Sequence, residues 1–302
     1  MTNWTTADIP DQHGRVALVT GSNAGLGFKI AQELARAGAT VILGCRNRAK
    51  AEAAADALRA VSATGEVEVL PLDLADLASV AAAAASFRAT ARPLDLLINN
   101  AGLMAVDKSR TVDGFEMQFG VNHLGHFALT SDLLPALLDA HGARVVNMSS
   151  MGHRGGKMRF DDLMHDKRYD RWTPYLQSKL TNLLFTSELQ RRLARAGAGL
   201  VALAAHPGFA HTDLGSEGGG ITNSMTRLFA PLVAQSAARG AEPALRAATD
   251  PTAQGGEYYG PRWKARGPAV PEIPSNRARR SDDAARLWTI SERLTGRTML
   301  RL

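Results

Sequence analysis

Tyr175 and Lys179 stand four residues apart in the helix-forming stretch TPYLQSKLTNLLF. Residues at i and i+4 share one helix face, so a phenol and an ammonium are brought side by side. The pair has a bland use, as a buried phenol beside a stem-packed amine, and a chemical one, as a proton donor beside the cation that tunes it. A free phenol has a pKa near 10, roughly three units too high for ready proton exchange near neutrality. A neighbouring ammonium stabilises the phenolate and lowers that value.

The second chemical stretch is TGSNAGLG, Thr20–Gly27, between a strand-like and a helix-like run. Gly21 permits a tight turn, and Gly25 and Gly27 let backbone approach a pyrophosphate at the helix N-terminus. The spacing is G-x-x-x-G-x-G rather than G-x-G-x-x-G. Glycine turns also serve strand–helix packing alone, but the strand–turn–helix setting favours a dinucleotide.

The elements that must position these residues alternate along the chain. RVALVTG, TVILGCR, EVEVLPLDL, LDLLINNAG, GARVVNMSS and GLVALAAHPG read as strands, and GGEYYGP as a seventh. Helical patterns fall between them, including one around Gly120–Ala140 and a long one over Tyr175–Ala196. Continuous apolar strands alternating with helices predict an α/β fold: a doubly wound, mainly parallel, Rossmann-type sheet of about seven strands with helices on both faces. One domain over 1–302 is expected, with a core over about 15–260, irregular insertions over about 152–172 and 209–240, and an extension over about 261–302. Both insertions follow strands, on the side where open α/β sheets bind ligands.

Six motifs in order resemble the short-chain dehydrogenase/reductase family over Arg15 to Gly260. They are TGSNAGLG, NNAG (Asn99–Gly102), NHLGHFALT with Asn122, VVNMSS with Ser149 and Ser150, YLQSK, and HPGFAHT with Pro207, Gly208 and Thr212. The resemblance implies a carbonyl/alcohol oxidoreductase in which Tyr175 exchanges the proton, Lys179 lowers its pKa and Ser150 orients the oxygen. It implies that Asn122 holds a water linking the lysine to solvent. Ser149 is the rival serine; the family usually uses the second of such a pair. For the cofactor it implies Gly21, Ser22, Asn23, Gly25, Leu26, Gly27, Asp73 and Leu74 near the adenine and phosphates. It places Asn99, Ala101, Gly102, Tyr175, Lys179, Pro207, Gly208 and Thr212 further along the dinucleotide.

NAD-selective Rossmann proteins place an acid after the second strand, whereas NADP-selective ones have an arginine nearby. Here the acid's position aligns with Cys45, and Arg46 and Arg48 follow. A cation suits a 2′-phosphate, so NADP(H) is favoured over NAD(H). Between Ser150 and Tyr175 the chain is longer than the common form of the family. RFDDLMHDKRYDRW, SKLTNLLFTSELQRRL and LWTISERLTG resemble the branch containing retinol dehydrogenases and their bacterial relatives. Protochlorophyllide reductases share the longer stretch but rely on active-site cysteines, and the single cysteine here lies in the cofactor region. His153 and Phe209 are placed at the pocket by position. Met158, Trp172, Met225 and Phe229 suit either an apolar substrate wall or loop packing.

The 302 residues are 45% hydrophobic and 21% charged, with one cysteine, Cys45. An internal disulfide and a cysteine-based zinc cluster are therefore excluded, and Cys45 reads as packing. The histidines lack ligand spacing, so no metal is expected. No signal peptide or apolar run near the roughly 18 residues of a membrane span is read, so a cytoplasmic chain without a membrane anchor is expected. The formal charge is +6, with one compact cluster, NRARR, at 276–280. Without a nucleic-acid motif or interleaved aromatics this reads as solvated surface, not a nucleic-acid site. An NADP(H)-binding sensor acting through a partner protein is the alternative function. Such sensors often lose the Tyr–Lys pair. The resemblance also leaves room for a homodimer or homotetramer through the helices carrying Asn122 and Tyr175.

Overall fold

The computed structural model describes residues 3–62, 66–209 and 236–300. Its strands are β1 (Val16–Thr20), β2 (Thr40–Cys45), β3 (Val67–Pro71), β4 (Leu96–Asn99), β5 (Arg144–Met148), β6 (Val201–Ala205), β7 (Tyr258–Pro261) and β8 (Ala269–Glu272). They form one sheet in the order β3-β2-β1-β4-β5-β6-β7-β8. The first seven pair in parallel and β7–β8 is antiparallel. Strand order therefore reverses beside β1, and the crevice at such a reversal is where open sheets take ligands.

β1 is buried at every position, as a strand covered on both faces must be. One face carries α1 (Gly25–Arg36), α2 (Arg48–Arg59) and α7 (Ala237–Thr249); the other carries α3 (Leu77–Arg88), α5 (Gly125–Asp139), α6 (Trp172–Arg195) and α8 (Ser281–Thr295). The helical period is explicit in α2, which buries Ala51, Ala54, Ala55 and Leu58. Asn47 starts this helix by accepting the Lys50 N–H at 2.9 Å.

Three elements depart from the expectations. The helix expected around Gly120 starts with a single turn, α4 (Met117–Phe119), and then a π-turn over Gly120–Leu124. α7 was not foreseen, because Gly240 and Pro243 are poor helix formers inside it. The extension past 261 supplies an eighth strand and α8, so the sheet exceeds about seven strands by an antiparallel edge.

α8 lies across α5 and α6. Trp288 is buried edge-on to Phe127 at 5.3 Å and tilted against Phe185 at 6.0 Å, with the Arg192 guanidinium 4.4 Å from its ring. Arg297 adds an ion pair with Asp132 at 3.2 Å. The basic cluster is also partly tied down: Arg277 donates to the Gly156 carbonyl at 3.0 Å. Among the described residues no helix is long and apolar enough to cross a membrane.

Candidate active site

β1 ends at Thr20, whose hydroxyl oxygen accepts the N–H groups of Asn100 and Ala101, both at 2.9 Å. The Asn100 amide returns a bond to the Thr20 carbonyl at 2.8 Å. The turns after β1 and β4 are thus laced together. Gly21 has φ +64° and lies so close to Ala101 that a Cβ would be 2.9 Å from the alanine methyl. Gly27 is tighter still, with a Cβ only 2.5 Å from the Gly21 carbonyl oxygen. These glycines bring α1 against the turn and open a cleft beside it.

The cleft has a volume of about 450 Å³. Gly21, Asn23, Gly25, Leu26 and Gly27 line its glycine side, Arg46 its second-strand side, Asp73 and Leu74 its third, and Ala101 and Gly102 its inner end. No side chain caps α1 at Ala24, so the first-turn N–H groups of α1 lie at the cleft without a capping acceptor. That arrangement fits a pyrophosphate. Asp73 is held by accepting the Ala75 N–H at 2.9 Å.

Not every expected cofactor residue faces this space. Ser22 is buried and donates to the Val19 carbonyl at 2.8 Å. The Asn99 side chain is buried with Thr130 and Asn147, at 3.1 and 2.8 Å, and stitches β4 to α5 and β5. Pro207 and Gly208 stand outside the cleft. Gly208 has φ +67°, and a Cβ there would be 2.4 Å from the Ala265 carbonyl oxygen. Thr212 lies outside the described residues, as do His211, Met225 and Phe229. Residues missed from sequence also line the cleft, notably Asn47, Lys50, Asn100 and Leu103. NNAG already carried the signal for Asn100. Lys50 reaches the cleft from the first turn of α2, whereas Arg48 pairs with Glu52 at 3.6 Å.

The polar cluster begins where the cleft ends. A Cβ on Gly102 would be 3.2 Å from Asn122 Oδ1 and 3.3 Å from Lys179 Nζ. Asn122, in the π-turn, accepts the Leu103 N–H at 2.7 Å and donates to the Leu103 carbonyl at 3.0 Å and Ser178 Oγ at 2.9 Å. Its side-chain amide is thereby engaged by protein partners. Tyr175 and Lys179 share the buried face of α6, with Nζ 5.8 Å from the phenol ring centroid. Ser149 turns away to donate to the Lys179 carbonyl at 2.8 Å. Ser150 accepts the Gly152 N–H at 3.1 Å, and a Cβ on Gly152 would be 3.3 Å from Tyr175 Cε1 and 3.5 Å from Ser150 Oγ, so the two side chains converge there.

Burial pushes the Tyr175 phenol above its ordinary range, and the Ser150 hydroxyl pulls it partly back. The net shift opposes the expected lowering, because desolvation outweighs the other influences in this arrangement. Burial also lowers the Lys179 ammonium to about 8. His126 links the two halves: its Nε2 lies 2.9 Å from Thr20 Oγ1 and its Nδ1 3.2 Å from the Asn122 carbonyl oxygen. His153 does not line the pocket as expected; it is fully buried behind Ser150. Trp172 stands edge-on to Tyr175 at 6.2 Å, and Met158 packs against the core. Phe209 is exposed.

A family model for the short chain dehydrogenases matches residues 15–219, which include the glycine turn, the buried cluster and the strands joining them. The chain belongs to the short-chain dehydrogenase family. Members are oxidoreductases that use a nicotinamide cofactor. Retinol dehydrogenase 12 of Mus musculus is 42% identical over 297 residues, covering 97% of this chain and 89% of that protein. An uncharacterised Mycobacterium paratuberculosis protein of solved structure superposes with a TM-score of 0.83 at 46% identity, covering 100% of both chains. An NADP complex of RhlG from Pseudomonas aeruginosa superposes at 0.64, with 25% identity over 82% of this chain and 94% of that one. The retinol dehydrogenase likeness and the mainly parallel sheet agree with the family resemblance read from the motifs.

Proposed function

We propose that this short-chain dehydrogenase is an NADP(H)-dependent carbonyl reductase or alcohol dehydrogenase acting on an apolar, moderately bulky substrate. The observation that carries it is the junction at Gly102, where the dinucleotide-shaped cleft meets Asn122 and Lys179. When bound, the nicotinamide cofactor supplies a hydride to a carbonyl carbon or accepts one from an alcohol carbon. Tyr175 gives its phenolic proton to the carbonyl oxygen in reduction and takes it back in oxidation. Ser150 holds that oxygen with its hydroxyl. Lys179, still mainly protonated at neutral pH, offsets the charge left on the phenol. Asn122 braces the turn under Lys179 through Leu103 and Ser178, its side-chain amide being taken up by these partners.

Arg46 and Lys50 at the cleft support a 2′-phosphate, and so NADP(H). Trp172, edge-on to Tyr175, supports an apolar substrate. The single cysteine supports a reducing, cytoplasmic setting, and the family likeness a small-molecule partner.

The test is oxidation of NADPH and NADH by the purified protein over a panel of aldehydes and ketones, with Tyr175→Phe alongside. Turnover should prefer NADPH and fall by about a hundredfold or more in the variant. Tight NADPH binding with no turnover across the panel would instead favour the sensor.

A further inference from the structure

His153 follows Ser150 by three residues, on the 3-10 turn Met151–Arg154, and its imidazole is fully buried. Nδ1 lies 2.7 Å from the Ser150 carbonyl oxygen, which can only accept, so the network puts the hydrogen on Nδ1. Nε2 then accepts the Ser275 N–H at 3.2 Å. The same Ser150 carbonyl accepts the His153 backbone N–H at 3.0 Å, while Ser150 Oγ accepts the Gly152 N–H at 3.1 Å. Ser150 is therefore held at both its carbonyl and its hydroxyl. Through the imidazole, that hold reaches the segment after β8.

A second tie runs parallel to the first. Tyr258, on β7, stands edge-on to His153 at 5.5 Å with its hydroxyl 3.4 Å from Nδ1, and its ring tilts against His206 at 5.2 Å. His206 takes the opposite tautomer. Its Nδ1 accepts the Gly208 N–H at 3.1 Å, so Nε2 donates to Glu272 on β8, also at 3.1 Å. Gly260 makes the space: a Cβ there would be 2.0 Å from His206 Nε2 and 2.5 Å from Glu272 Oε1. The ends of β5 and β6 are thus each fastened to the β7–β8 hairpin by a buried histidine of fixed tautomer. Apolar side chains would fill the same volume without burying polar atoms, so packing alone does not account for the choice.

We propose that His153 is a positioning residue, through which the segment after β8 sets the placement of Ser150 and hence of its hydroxyl beside Tyr175. This rests on the oxidoreductase function proposed above, and the test separates the two. The full chain is labelled at the tyrosine Cζ, giving resonances from four tyrosines, with Tyr175 assigned by its loss in Tyr175→Phe. His153→Leu should move the Tyr175 resonance as Ser150→Ala does, and the double variant should move it no further. His153→Asn, which replaces the Nδ1 donor, should return it towards the native position. Ser275→Pro removes the N–H donor at a residue whose φ of −60° suits proline, and should cause a smaller shift in the same direction.

On any carbonyl that is turned over, His153→Leu should lower kcat about tenfold or more with NADPH affinity unchanged, because a misplaced orienting group acts on the reacting geometry. A native Tyr175 resonance in His153→Leu, or shifts that add in the double variant, would overturn the assignment. If His153→Leu does not fold, Ser275→Pro decides alone, a native spectrum counting against the proposal. Absence of turnover on every carbonyl would defeat the oxidoreductase reading, while the resonance still decides the role of His153.

Discussion

The nucleotide cleft and the cluster behind Gly102 adjoin, yet they are built from opposite materials. The cleft is shaped by backbone: Gly21, Gly25 and Gly27, with the uncapped first turn of α1 at its wall. Its cations, Arg46 and Lys50, are exposed. The cluster is made of side chains taken out of water, with Lys179 only 4% exposed and Asn122 and His126 at 2% or less. Binding an anion by backbone N–H groups costs the fold little, because those groups exist in any helix. Burying a lysine beside a phenol costs stability, since the charged form loses its hydration. The two regions should therefore fail in different ways.

Acid should separate them most strongly. Burial lowers His123 to about 3, and His126 and His153 to about 4. Between the unfolded value near 6.5 and these folded values the unfolded chain binds the extra protons, so stability falls as pH falls. Each histidine contributes up to about 1.4 kcal/mol per pH unit, and three together approach a typical domain's whole stability before pH 4. Thermal melts from pH 7 to 4 should show a steep loss starting near 6.5. A flat profile would mean these histidines are not held neutral.

Lys179→Met should be the next largest effect, with opposite signs in the two readouts. Turnover should fall by about 10²–10⁴-fold, the usual range for assisted proton transfer. The melting temperature at pH 7 should rise, because the native lysine titrates near 8 against an ordinary value near 10.5. Between those values the native chain binds fewer protons than the unfolded one, so it gains stability as pH rises and the variant's advantage should shrink. A variant less stable than the native protein at pH 7 would show that the ammonium is a structural tie.

Gly27→Ala probes the cleft. The added Cβ would press on the Gly21 carbonyl and the Asn100 amide, so the turn must move. Overpacking of this kind costs about 1–3 kcal/mol, and NADPH affinity should drop by roughly tenfold or more. The acid profile should stay unchanged, since the buried histidines are not touched. Binding as tight as native would show that the turn yields without disturbing the site.

How much of each region was legible follows from the same contrast. Glycine spacing after a strand reports backbone shape directly, so the cleft could be read from TGSNAGLG, and Tyr175 and Lys179 from their helical spacing. Ser22 and Asn99 turn their side chains into the protein, since a motif marks the turn and not which of its side chains face the cleft. Lys50 was missed because reaching the cleft depends on where α2 starts, which Asn47 sets by capping. His126 and His206 were read only as non-ligands, and His153 was placed at the pocket. Their partners come from sequence-distant elements, Thr20, Ser275 and Glu272, and no local pattern reports such pairs. α7 stayed hidden behind Gly240 and Pro243, where tertiary burial overrides propensity.

The smallest expected effect bears on the exposed edge of the cleft, and on its cofactor. Arg46 is solvent-exposed, so its contact with a 2′-phosphate is screened and weaker than a buried pair. Lys50 lines the same wall and would share the charge. Arg46→Ala should therefore lower the preference for NADPH over NADH by only about tenfold, roughly 1.4 kcal/mol. Arg46→Ala with Lys50→Ala should lose more, and both effects should shrink as salt rises. Affinity for NADH should hardly change, because the cation faces a group that NADH lacks. Loss of affinity for both cofactors would place Arg46 on the shared pyrophosphate instead, and would shift the discrimination to Lys50.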